Sequence, residues 1–411
     1  MINLMRHSNL QQILKGCDQC VLCGLCLPHC PTYQVEHNEC ESPRGRIVLI
    51  QALMQGNLDS LKIDLSSLEH CLLCRSCEAV CPSKVPYGEI ITLTRDELSP
   101  KKSRLVSQLM DAVAEPQQMQ QMLSKLKLYK KSGLQKLVQA GGLLSGLLKG
   151  ELRAAEGLLK HASVERLQDY YPAKSEFQGD IQLFVGCMGE SFDQQTVRDA
   201  IALLNGLGFG VKIAHPASCC GAMHHHNGEI NKGSELKTIS LSRLTNDTTD
   251  VVLGLAGSCV ARLNEGGEEA SAPSIIEITD FLVENLAKVT EGISVVNKKV
   301  AVHQPCSNKN LLNNFDKTIE LLNKISGLEL LTLPTYGCCG ASGIHMVSDA
   351  EHARKFLADT VEWLAVEKPD LIVSQNMGCM FHISSEMTRQ NMGIEVIHPL
   401  SLLRSAFADK I

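Results

Sequence analysis

Residues 17–31 read CDQCVLCGLCLPHCP and residues 71–82 read CLLCRSCEAVCP, and the way these two runs fit together decides how the first part of the chain folds. Cys20, Cys23, Cys26 and Cys30, followed by Pro31, match C-x2-C-x2-C-x3-C-P, and Cys71, Cys74, Cys77 and Cys81, followed by Pro82, repeat it. Two-residue spacers let three thiolates converge on one face of an iron-sulfur cubane from a tight loop, while the fourth points away and ligates the other cluster. The pairing this spacing implies is crossed. Cys20, Cys23 and Cys26 with Cys81 would hold one [4Fe-4S] cluster, and Cys71, Cys74 and Cys77 with Cys30 the other. Four thiolates also suit tetrahedral zinc, but a zinc ribbon uses paired C-x2-C knuckles, not two four-cysteine runs each closed by proline. Cys17 extends the first run into an unbroken C-x2-C ladder; the doubled C-P register favours Cys20 as first ligand and leaves Cys17 and Cys40 without a role.

Between the runs, residues 41–50 read ESPRGRIVLI. Ser42 as N-cap and Pro43 in the first turn predict a helix there, with Ile47 and Ile50 facing inward. Arg44 and Arg46 have two readings, charges that offset a cluster or solvated charges at a helix start.

The 411 residues amount to about three domains, and 44% are apolar, enough for a substantial core. Lys and Arg number 39 against 45 Asp and Glu, so there is no basic excess for nucleic acid. Eighteen cysteines in a long apolar chain argue against a small disulfide scaffold. No secretory signal is readable in residues 1–14, and no stretch approaches the ~20 apolar residues of a spanning helix. A cytoplasmic chain with reduced cysteines is the expectation, and clustered thiolates then point to metal or redox chemistry.

From Leu98 to about Gln178 the text is helical and free of cysteine. Between Glu115 and Glu151 it has no acidic residue but carries Lys125, Lys127, Lys130, Lys131, Lys136 and Lys149. Leu123, Leu126, Leu134, Leu137 and Val138 keep mostly helical spacing, which suits either connecting helices packed between domains or a segment that touches a membrane surface or a partner.

The C-terminal half is duplicated. Cys187 and Cys306 differ by 119, as do Cys219 and Cys338, and Cys220 and Cys339; Cys259 and Cys379 differ by 120. In the first copy IQLFVGC (181–187), VKIA (211–214) and DVVLGLAG (250–257) read as strands, and in the second KVAVHQPC (299–306), LELLTLP (328–334) and LIVSQN (371–376), with helices between them. Alternation of this kind predicts a parallel sheet, and every cysteine falls at or just after a strand end, where open α/β sheets bind ligands. Cys187, Cys219, Cys220 and Cys259 therefore form one candidate site, and Cys306, Cys338, Cys339 and Cys379 a second; zinc, an iron-sulfur cluster or a redox-active thiol set all suit four thiolates. Histidines gather at the same ends: His215, His224, His225 and His226, then His303, His345 and His382. They are candidates for binding an anion or moving protons, with His303, close before Cys306, the foremost.

The two cysteine runs, the SPRGRI word between them, the CPSKVPYGE that closes the second and the two successive CCG domains resemble the glycolate oxidase iron-sulfur subunit family across nearly the whole chain. The cluster motifs alone are shared with the anaerobic glycerol-3-phosphate dehydrogenase iron-sulfur subunit, the heterodisulfide reductases and lactate-utilisation proteins. The resemblance implies an α+α/β chain: a helical ferredoxin-like domain with two [4Fe-4S] clusters (1–97), a helical linker (98–178) and two α/β CCG domains (179–295 and 296–411). It also implies a flavin-linked 2-hydroxy-acid dehydrogenase complex of glycolate or D-lactate type. In it an FAD-containing subunit is the electron donor, quinone the acceptor, this chain has no activity alone, and contact is peripheral on the cytoplasmic face of the inner membrane. No G-x-G-x-x-G fingerprint is present here, consistent with hydride chemistry on another chain. The other reading is a thiol/disulfide oxidoreductase like the heterodisulfide reductases, using a CCG site. In CCG domains with a noncubane cluster the motif ends in C-x-x-C, whereas here Arg262 and His382 stand at that position. Arg262 cannot ligate a metal and would pair with an anion instead; His382 is a candidate substitute ligand in the second copy.

Overall fold

The computed structural model describes residues 2–99, 102–132, 163, 165–214, 219–245, 249, 251–266, 273–286 and 294–407. Its first part is α1 (Ile2–Asp18), α2 (Pro31–Glu36), α3 (Pro43–Met54), α4 (Ser66–Glu69), α5 (Ser76–Ala79) and α6 (Tyr87–Leu98). Helix α3 starts as its sequence predicts: Ser42 Oγ accepts from Gly45 N at 2.9 Å, and Pro43 needs no amide partner in the first turn. Ile13 and Cys17 of α1, Ile47 and Ile50 of α3, and Ile90 and Ile91 of α6 meet in one buried core that takes in Cys71 and Cys77. Each isoleucine so buried contributes about 1.5–3 kcal/mol. The cysteine runs are thus pinned at their edges by an ordinary hydrophobic core.

Helices α7 (Arg104–Ala114) and α8 (Pro116–Lys131) follow. Val106 and Met110 join a core of the C-terminal repeat, while Val113, Met119 and Leu123 join a larger core that both repeats share. This part of the cysteine-free middle is accordingly packed between the repeats. Leu134, Leu137, Val138, Lys136 and Lys149 lie outside the described residues. The helical text was expected to run to Gln178, but Tyr170–Tyr171 is an edge strand, β1; two aromatic residues suit a pleated surface.

The first repeat contains β2 (Gly179–Phe184), β3 (Phe209–Ile213), β4 (Val252–Gly254) and β5 (Ile275–Glu277), in sheet order β1-β3-β2-β4-β5. The second contains β6 (Lys298–Val302), β7 (Leu328–Thr332), β8 (Leu371–Val373) and β9 (Glu395–Ile397), in order β7-β6-β8-β9. All pairings are parallel except that of β1 with β3. The register sets Leu183 against Leu253 and Ala301 against Ile372. Their near-continuous apolar text is what strands covered on both faces require.

The strands end earlier than expected. β2 stops at Phe184, Gly186 takes φ +67°, and a helix from Gly186 to Phe192 begins at once, so Cys187 lies in a helical first turn. Cys259 and Cys379 likewise lie in the first turns of helices Gly257–Asn264 and Met377–Arg389. These ends of the two repeats face each other. Asn376 Nδ2 donates to Ser258 Oγ at 3.0 Å, and a Cβ on Gly257 would stand 2.4 Å from Asn308 Oδ1, so the approach requires glycine.

The helical first part sits on both repeats. Arg95 of α6, buried, donates to Leu68 O, Glu69 O and Cys71 O on its own side and to His226 O of the first repeat at 2.8 Å. Lys102 pairs with Glu229 at 2.6 Å and Arg75 with Glu265 at 3.1 Å. Among the described residues no helix is long and apolar enough to cross a membrane.

Candidate functional site

Each cysteine run winds through the same unusual turn. Leu22 and Leu73, both two residues after the first cysteine, have φ +55° and +49°; Gly24 and Arg75, both one residue after the second, have φ +83° and +56°. Left-handed backbone at a leucine or arginine costs about 1–3 kcal/mol and persists only where its surroundings enforce it. Its repetition at equivalent places is the backbone signature of one loop geometry used twice.

Cys30, Cys71, Cys74 and Cys77 line a single small pocket. These are the four residues that the crossed pairing groups together. The buried hydroxyl of Tyr87, on the same pocket wall, has no hydrogen-bond partner among the described residues. Four thiols and an orphaned donor around one pocket fit a [4Fe-4S] cluster, whose sulfurs accept hydrogen bonds. Burial pushes the Cys77 thiol well above its ordinary value, so a cationic iron core is what would make these groups thiolates. Of the other set, Cys20, Cys26 and Cys81 pack half-buried on the edge of the helical core, and Cys23 is exposed. Helix α5, which carries Cys77, abuts the turn Leu27–His29 that leads to Cys30, so the two loops lie side by side.

Arg46 resolves its two readings. It is 1% exposed, donates to Ser67 O at 2.6 Å and to Thr32 Oγ1 at 2.9 Å, pairs with Glu41 at 2.5 Å, and brings Nη1 to 4.0 Å from Cys30 Sγ. Arg44 stays half-exposed and pairs with Glu39 at 2.7 Å. Cys17 is a core residue whose thiol burial pushes up to about 12, and Cys40 is exposed.

In the repeats the thiols contact one another in the same order. Cys219 hydrogen-bonds Cys187 and Cys220, and Cys220 lies 3.3 Å from Cys259; Cys338 bonds Cys306, and Cys339 bonds both Cys338 and Cys379. Gly221 (φ +76°) and Gly340 (φ +88°) follow each CC pair, and a Cβ on Gly221 would be 2.0 Å from Gly233 O. Hydrogen bonding with Cys219 and Cys259 holds the Cys220 thiol well below its ordinary value, while the hydrogen bond to Cys338 and burial push Cys306 well above.

The repeats differ at their histidines. His303 is 1% exposed; its Nδ1 meets Ser374 Oγ at 2.9 Å, and its Nε2 is buried with no hydrogen-bond partner among the described residues. Its ligand nitrogen lies within 4.8 Å of the sulfurs of Cys339 and Cys379. The equivalent place in the first repeat is Phe184. His382 turns Nε2 to Ala353 O at 3.2 Å and is not in that group, and burial lowers its pKa to about 4. Arg262 pairs with Glu265 at 2.6 Å beside Arg75. His224 is buried near Glu229, at 3.8 Å; His345 bonds His352; His215 lies outside the described residues.

The second run also meets the second repeat. Cys74 and Cys338 share a small buried cluster with Leu72 and Phe356, with Cys306 against it. Asn310 Nδ2 donates to Cys74 O at 2.8 Å, and Ser342 Oγ to Leu72 O at 2.9 Å. Neither these contacts nor the buried role of Tyr87 has a sequence signal, because the partners are far apart in the chain.

Comparison with known proteins adds three family matches: a 4Fe-4S dicluster domain over residues 16–85, a cysteine-rich domain over 181–264 and again over 300–384, and the linker region of the glycolate oxidase iron-sulfur subunit over 104–159. The chain is 30% identical to a probable glycolate oxidase iron-sulfur subunit of Bacillus subtilis (strain 168), over 95% of this chain and 94% of that one. It is 28% identical to the glycolate oxidase iron-sulfur subunit of Escherichia coli (strain K12), over 89% of each. Lactate utilization protein A of Bacillus licheniformis is 26% identical over 55% of this chain and 99% of its own length.

Proposed function

From the premise that this chain belongs to the glycolate oxidase iron-sulfur subunit family, we propose that it is the electron-transfer subunit of a flavin-linked 2-hydroxy-acid dehydrogenase. Bound [4Fe-4S] clusters supply one-electron transfer and no substrate activation. The chain's own residues hold, insulate and connect. Cys20, Cys23, Cys26 and Cys81 hold one cluster, and Cys71, Cys74, Cys77 and Cys30 the other. The exposure of Cys23 supports a first set near the surface, open to a flavin-containing partner. The buried second set is closed off from water by Leu72, Leu73 and Tyr87 and neutralised in part by Arg46. Seating the Cys71–Cys77 loop against Cys306 and Cys338 directs the path into the second repeat, where His303 joins the thiols as a metal ligand. Membrane quinone is the acceptor in this reading, reached by peripheral contact from the cytoplasmic face, and the chain alone oxidises nothing.

The observation that carries the reading is the contact of Cys74 with Cys338 and Cys306, which joins the cluster loops to the repeats. Its test is a reconstitution with the flavin-containing partner. A soluble quinone is expected to be reduced by glycolate or D-lactate when iron-loaded chain is present, and at least tenfold more slowly without it. Equal quinone reduction by the partner alone would end the proposal.

A further inference from the structure

Where the second cysteine run meets the second repeat, three side chains outside both thiol sites converge. The ligand atoms of His70, Asp349 and His352 all lie within 4.8 Å of one another. We propose that this seam binds a divalent transition metal, zinc being one whose usual ligands include two imidazoles and a carboxylate.

The rings of His70 and His352 stack with centroids 4.1 Å apart, so one imidazole must turn for both nitrogens to meet a single ion, and the groups around them are those that hold metal ligands. His70 Nδ1 is held by Glu41 Oε1 at 2.7 Å, which leaves Nε2 facing Asp349 Oδ2 at 3.6 Å. A carboxylate on the far ring nitrogen is how ligating histidines are usually oriented and made more basic. His352 Nδ1 is taken by His345 Nε2 at 2.9 Å, and its Nε2, on a residue 5% exposed, makes no hydrogen bond among the described residues. That orphaned nitrogen stands 3.5 Å from Glu36 Oε1, a candidate fourth ligand. Asp349 Oδ1 accepts from His352 N at 3.1 Å, fixing the carboxylate while Oδ2 stays toward His70. A buried imidazole nitrogen without a partner costs about 1–3 kcal/mol, and a metal satisfies it.

The ion would fasten the two parts of the chain. His70 immediately precedes Cys71, whereas Asp349 and His352 belong to the second repeat. One metal across them holds the Cys71–Cys77 loop in place against Cys338, and it needs no change of oxidation state to do so.

The test uses the full chain with its iron clusters, dialysed against a weak chelator and then titrated with zinc alone. One equivalent is expected to bind with a first shell of nitrogen and oxygen by zinc X-ray absorption, distinct from any sulfur-bound zinc at the CCG thiols. Asp349→Asn and His352→Gln should each lower that affinity at least about tenfold while iron content holds. Asp349 is partly exposed, so its variant decides the matter if His352→Gln fails to fold. Absence of zinc with a nitrogen and oxygen shell, or its undiminished binding by iron-loaded Asp349→Asn, would overturn the proposal.

Discussion

Replacing Arg46 by methionine is expected to destabilise the chain by about 3–5 kcal/mol, because it takes the guanidinium from the interior carboxylate of Glu41 and leaves His70 as its remaining partner. The guanidinium is buried between Glu41, Thr32 and the Ser67 carbonyl, and methionine restores the volume but none of these hydrogen bonds. Its nearness to Cys30, 4.0 Å, means that loss of the charge also removes a counter-ion from the second cluster. Denaturant unfolding of anaerobic protein checks the magnitude. The double variant Arg46→Met with Glu41→Gln should regain a good part of the loss, since it removes both charges together. A single-variant cost below about 1 kcal/mol would show the pair to be solvated.

Cys30→Ser is expected to abolish the cluster held by Cys71, Cys74 and Cys77, lowering iron from about eight to about four per chain. The pocket that these four residues line is the reason. Paired with Cys74→Ser, the variant also tests the crossing. If Cys30 serves the second loop, both variants keep the same residual cluster and give matching EPR spectra on reduction. If it serves the first loop with Cys20, Cys23 and Cys26, the two spectra are complementary.

Much of this fold is legible in the chain. The repeat offset of 119 between cysteines exposes two copies of one α/β unit, and its apolar strands form two parallel sheets in equivalent order. Ser42 and Pro43 mark the start of α3 in the text and in three dimensions. Strand ends were harder, because VGC and AGSC continue an apolar pattern that a glycine bends into a helix. Arg46 reads like any charge in a first helical turn, and only Glu41, Thr32 and Ser67 folded around it show that it is interior. The CCG sites were least legible. Arg262 pairs with Glu265, and the histidine grouped with Cys339 and Cys379 is His303 and not His382. The seam of His70, Asp349 and His352 has no linear pattern, since only the docking of the helical part on the second repeat creates it.

The most direct measurement is EPR of the complex frozen soon after substrate is added. With the flavin-containing partner and a 2-hydroxy acid such as glycolate, both N-terminal clusters of the iron-loaded chain should become paramagnetic, and neither should do so when the partner is left out. Reduction of the flavin with both clusters remaining EPR-silent would contradict a role for this chain in carrying the electrons.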